Sequence, residues 1–255
     1  MGELLLFIAG LVGGALNTLA GGGSFIVFPA LLAVGVPPVI ANASNTYAAL
    51  PGYASGAFGL WKNVTAYRDR LLPYGIVAAL FGYAGAELLL RVSDAQFSIV
   101  VPWLILFAVV LFAFGARINS FVAARAGTSR GARAAGLALL YLLLAAVSLY
   151  GGFFNAGLGV LLLAFLTLAG VANIHAANAL KLYVSSIVAL VAVIRFAIAG
   201  SIDWYHGTIA LVGVTIGAYV AARLATFIPT KVIRALVIVY GVGLTIYFFW
   251  KSYAA

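Results

Sequence analysis

Gly13-Gly14-Ala15-Leu16-Asn17-Thr18-Leu19-Ala20-Gly21-Gly22-Gly23-Ser24 decides how this chain folds, because its glycines interrupt an apolar run that otherwise extends from residue 4 to residue 36. The stretch after the break, 24–36, rises only about 20 Å as a helix, short of the roughly 30 Å hydrocarbon core of a bilayer. A broken or re-entrant hairpin follows from that shortfall. The bilayer is the right solvent to reason with: 65% of the 255 residues are hydrophobic, 7% are charged and the mean hydropathy is +1.19. No water-facing surface supports those values. A soluble catalytic domain has no room in such a chain.

Outward from the break, apolar stretches run over about 4–20, 24–36, 38–60, 71–91, 96–116, 134–151, 157–171, 174–200, 206–226 and 231–250. A second short pair, 134–151 and 157–171, is broken at Gly151-Gly152, Asn155, Gly157 and Gly159. Gly13-Gly14-Ala15-Leu16-Asn17 thus recurs as Gly151-Gly152-Phe153-Phe154-Asn155, Gly35-Val36 as Gly170-Val171, and Ile40–Asn45 resembles Ile174–Ala179. Residues 1–116 and 134–255 are read as two copies of a five-segment unit, joined by a basic linker, 117–133, within one integral membrane domain.

Charge relates the copies. The linker carries Arg117, Arg125, Arg130 and Arg133 without an acid, so the positive-inside rule makes it cytoplasmic. Counting spans from there puts ten basic residues inside, against only Arg91 and Lys251 outside. The first copy then starts outside and the second inside. The expected fold class is an all-α polytopic membrane protein with an inverted-topology repeat, each half a broken or re-entrant helical hairpin plus three spanning helices. Both chain termini fall outside the cytoplasm. The start, Met-Gly-Glu, lacks a basic leader region, so the first apolar stretch is read as part of the mature protein. Duplication alone gives a membrane protein such a pseudo-twofold axis. Short glycine-broken segments at matching places in both halves add the architecture of secondary transporters, whose interrupted elements meet near the midplane and build a substrate site.

Lys181 lies about seven residues into its segment, roughly 10 Å deep, too far for easy snorkelling. It reads either as a lysine held by freed backbone carbonyls or as a cationic ligand for an anion. Arg195, nearer the outer end of the same segment, is a gate candidate or an ordinary snorkelling arginine. At the first break Ser24 is expected to act as N-cap, while Gly21, Gly22 and Gly23 leave backbone N–H groups uncovered for an anion. Asn17, Ser44, Asn45, Asn155 and Asn178 complete a polar set with Gly157 and Gly159; interhelical hydrogen bonding is the plainer role for each alone. Rocking of one copy against the other then exposes the site to each side.

Other chemistry is poorly supplied. With no cysteine there are no thiolates, disulfides or cysteine metal sites, and neither histidine has metal-site spacing. No metal, no cofactor and no catalytic residue is expected: the five acids lie at ends or loops, and neither G-x-S-x-G nor H-E-x-x-H occurs. A passive anion channel is the competing class, and an intramembrane enzyme a weaker one. The net charge of +9 is a topology signal, not a sign of nucleic acid. The expected partners are a small anionic substrate, the lipid bilayer and a coupling ion, proton or sodium, in a monomer or homodimer.

Gly13-Gly14, Gly21-Gly22-Gly23, Pro29-Ala30-Leu31 and Ala43-Ser44-Asn45, followed by Gly200-Ser201-Ile202-Asp203-Trp204 and Gly217 with Ala221-Ala222-Arg223, resemble the two signatures of the TauE/SafE-type sulfite exporter family. The likeness covers nearly the whole chain. It implies a multi-pass protein of a prokaryotic inner membrane that moves sulfite, an organosulfonate or a related small anion, most simply outward. The second hairpin departs from the family pattern, reading Gly157-Leu158-Gly159 where relatives carry a full glycine run. These diffuse motifs identify the fold better than the substrate.

Overall fold

A computed structural model describes residues 1–123, 130–171, 173–224 and 230–253. In chain order the helices are α1 (Gly2–Ala20), α2 (Ser24–Ala33), α3 (Pro38–Gly59), α4 (Trp61–Thr65), α5 (Arg68–Leu90), α6 (Asp94–Ala123), α7 (Arg130–Phe153), α8 (Leu158–Leu168), α9 (Ile174–Ile198), α10 (Trp204–Leu224) and α11 (Thr230–Tyr253). No strand occurs among the described residues. Each expected apolar stretch is a helix, shifted by a few residues at its ends. The five-residue α4, in a mixed polar stretch between longer helices, was not anticipated. The linker reading falls partly outside the described residues, since 124–129, with Arg125, are not among them.

Helix lengths give the breaks their meaning. Among the described residues, Arg68–Leu90, Gly136–Phe153 and His175–Ile198 are long and apolar enough to cross a membrane. By contrast α2 has 10 residues and α8 has 11, so they rise only about 15–17 Å and end inside a bilayer. Large apolar side chains such as Leu72, Leu80, Leu142, Ile198 and Ile246 are exposed on the outer faces of the longer helices. That pattern suits lipid and would be costly in water.

The core joins distant parts of the chain. Phe28 of α2 meets Phe154 at 5.6 Å and Phe97 of α6 at 6.2 Å, both edge-to-face, and stacks on Phe248 of α11 at 6.1 Å. Such ring geometry adds to the area that each residue buries. The main helix pairs are α1 with α10, α5 with α7, α3 with α9, α5 with α9 and α6 with α11. Two of them are glycine seams. A Cβ on Gly14 would fall onto the Val214 carbonyl and one on Gly217 onto the Leu11 carbonyl; likewise Gly85 meets the Leu149 carbonyl and Gly152 the Gly82 carbonyl. Backbone therefore touches backbone along α1–α10 and α5–α7, the close approach that small residues permit between membrane helices. Each broken hairpin is fastened to a helix from the other half of the chain.

Candidate functional site

The first break is shaped by where its backbone hydrogen bonds go. Gly21 closes α1 in the left-handed region at φ 81°, its N–H donating to the Leu16 and Asn17 carbonyls, a geometry that strains any residue with a Cβ. Ser24 is not the N-cap that the sequence suggested. Gly23 takes that position and is itself helical (φ −60°, ψ −36°), so the Ser24 hydroxyl lies one residue inside the helix and caps nothing. The carbonyls of Gly22 and Gly23 accept from the Phe25 and Ile26 N–H groups, while the N–H groups of Gly22, Gly23 and Ser24 have no carbonyl partner among the described residues.

At the second break α7 stops at Phe153, and Gly157, at φ 91°, precedes α8. Polar side chains take up its carbonyls: Asn42 Nδ2 donates to Phe153 O at 2.9 Å and the Tyr150 hydroxyl to Ala156 O at 2.8 Å. The two breaks then meet. A Cβ on Gly159 would stand 3.2 Å from Gly21 Cα and 3.5 Å from Lys181 Cδ, and one on Gly157 3.5 Å from Phe25 Cζ. The N-terminal ends of the two short helices and the stem of Lys181 therefore share one place in the core.

Polar groups collect around this meeting point. Asn17, Ser24 and Asn45 line a narrow cleft with Gly13, Gly23, Val27, Ala49 and Val214, about 10 Å³ of which admits the centre of a water molecule, space for about one water. Asn17, Ser24, Asn45, Asn155 and Lys181 are all buried. Two of the nitrogens are donors in want of an acceptor: Asn45 Nδ2 and Asn155 Nδ2 have no partner among the described residues, and Lys181 makes no hydrogen bond or ion pair there. Each unmet buried donor costs about 1–3 kcal/mol. An occupant offering only acceptors would remove that cost.

Three expected site residues are placed differently. Ser44, buried, accepts from the Asp203 N–H at 2.9 Å and ties α3 to the start of α10. Asn178 is half-buried on α9, one turn before Lys181. Arg195 is ion-paired to Glu87 of α5 at 2.7 Å, and Glu87 also holds Arg91.

Sequence reading missed Tyr53. Its hydroxyl donates to Asn155 Oδ1 at 3.2 Å, fully buried, and so ties α3 to the second break. The available signal was the face Asn42, Asn45, Ala49, Tyr53 along α3, spaced three to four residues apart.

Long apolar helices and two short broken ones around a buried polar cluster define a helical protein of membrane-protein make-up. The chain belongs to the family described as Sulfite exporter TauE/SafE, whose sequence profile matches residues 6–248. Its curated relatives include Probable membrane transporter protein ORF9 of a Sinorhizobium species, 28% identical over 94% of this chain and 90% of the relative. A Probable membrane transporter protein of Haemophilus influenzae is 29% identical, over 94% and 92%. Probable membrane transporter protein YfcA of Escherichia coli K12 is 26% identical, over 92% and 85%. No solved structure gives a significant match.

Proposed function

We propose that the chain is a secondary transporter that exports a small oxyanion, sulfite or an organosulfonate, by alternating access around the place where the two breaks meet. The observation that carries this reading is a set of buried donors without acceptors among the described residues, Asn45 Nδ2 and Asn155 Nδ2, beside the buried Lys181 and the N–H groups of Gly22, Gly23 and Ser24, which have no carbonyl partner there. Helix N-termini carry partial positive charge that adds to the attraction. The outward direction is taken from the family's description, a bacterial inner membrane from the bacterial relatives, and the placement of both termini outside from the charge bias.

A cleft with space for about one water supports alternating access over an open pore, since sulfite passes only if the packing changes. The glycine seams suggest what moves. They fasten α1 to α10 and α7 to α5, so the moving bodies are α1, α2, α3 and α10 against α5, α7, α8 and α9, sliding along the α3–α9 contact. The alternative is that one sequence copy rocks against the other. Pairings α1–α10 and α7–α5, in which first and fourth segments exchange between halves, support the reading of the chain as a repeat.

Counterflow in proteoliposomes tests the function. Vesicles preloaded with sulfite, sulfate, thiosulfate, short sulfonates or carboxylates should take up labelled sulfite or sulfonate against its gradient, and carboxylates should support this poorly. Flux at channel rates without counterflow would replace the transporter by a channel. No flux of any anion would end the reading.

A further inference from the structure

A carboxamide presents two nearly isosteric faces of opposite polarity, a C=O that repels an anion and an NH₂ that attracts it. Which face Asn155 turns to a ligand is set by what holds the other one. Asn155 is buried, its Oδ1 accepts from the Tyr53 hydroxyl at 3.2 Å and its Nδ2 is without a partner among the described residues. Tyr53 reaches it from α3, across the contact with the second break, and is itself 2% exposed. A phenol carries one proton, so donating it to Oδ1 defines the amide's orientation.

We propose that Tyr53 is a positioning residue of the anion site: by donating its phenolic proton to Asn155 Oδ1, it keeps the Asn155 NH₂ turned toward the anion. The inference rests on the proposed function and adds a residue that determines how well the site distinguishes an acceptor-only ligand. Without the hydroxyl, the amide turns over freely and offers its oxygen to the anion part of the time. Asn45, whose Nδ2 is likewise unmet, has no such phenol partner among the described residues.

Binding of sulfite and of methanesulfonate to the purified full chain, measured by calorimetry, tests this. Tyr53→Phe, which keeps the ring, should weaken both about tenfold. Asn155→Ala should weaken them by at least as much, and the double variant should bind within twofold of Asn155→Ala alone, because Tyr53 acts through that amide. Asn155→Asp supplies a second variant that does not depend on Tyr53→Phe folding. It accepts the phenolic proton but has no NH₂ to give, and should also lose binding. Unchanged affinity in Tyr53→Phe or Asn155→Asp, or additive losses in the double variant, would overturn the inference. If Lys181→Met weakens binding while Tyr53→Phe and Asn155→Asp do not, the anion site stands and the positioning role falls. If the wild-type chain binds neither probe, both fall together.

Discussion

Lys181 makes no ion pair or hydrogen bond among the described residues and is 2% exposed, and a cation in mid-helix costs about 2.5–3.5 kcal/mol on insertion scales. A lysine kept only for packing would do better as a methionine, which has the same stem without that cost. Lys181→Met is therefore expected to melt no lower than the wild type while its apparent affinity for sulfite drops at least tenfold. A fall in melting temperature with affinity preserved would make the lysine structural. The depth of Lys181 was legible in the sequence because charge is rare there. The role of Tyr53 was not, because a tyrosine in an apolar helix looks like any buried ring until its hydroxyl is seen on Asn155. Ser24 was misread for a related reason: whether a residue caps a helix depends on its own φ and ψ, and Ser24 is already the first residue of α2, with Gly23 in the cap position.

At the scale of elements, α10 is anchored by the loop before it. Asp203 Oδ1 accepts from the His206 N–H at 3.0 Å, Oδ2 lies 2.7 Å from His206 Nδ1, and the Asp203 N–H donates to Ser44. Partial burial pushes the Asp203 carboxyl up, but hydrogen bonds from the His206 ring and backbone and from the Tyr205 N–H outweigh it, and the group sits below its ordinary value. A carboxyl depressed in the folded state contributes stability above its unfolded value, about 3.9, and loses it as pH falls through the folded one. Melting temperatures should therefore fall below about pH 4, and Asp203→Asn should lower the neutral-pH value while flattening that acid limb. An equally steep acid limb in Asp203→Asn would assign it to other carboxylates. Element boundaries were readable to within a few residues because glycine and proline punctuate them. Pairings such as α1 with α10 were not, since apolar periodicity tells which residues avoid water and not which helix they meet.

For the whole molecule, the absence of cysteine makes introduced thiol pairs clean reporters of which helices move together. Thr18 Oγ1 lies 3.5 Å from the Ala218 carbonyl, across the α1–α10 seam, and Gly56 of α3 faces the Leu182 side chain of α9. A disulfide between Thr18→Cys and Ala218→Cys joins parts of one body and should leave counterflow intact. One between Gly56→Cys and Leu182→Cys joins the two bodies and should stop it until reduced. The reverse outcome would return the motion to rocking of sequence halves.

The seam between α1 and α10 also has a history within each molecule's synthesis. Thr18 and Ala218 are 200 residues apart, and at a ribosomal rate of about 5–20 residues per second their partnership is delayed by roughly 10–40 s. Through that interval the glycine face of α1 has emerged and its partner has not. The membrane or its insertion machinery must shelter a surface shaped for backbone contact. Truncation anywhere before α10 would leave it permanently uncovered, a ready mark for membrane quality control.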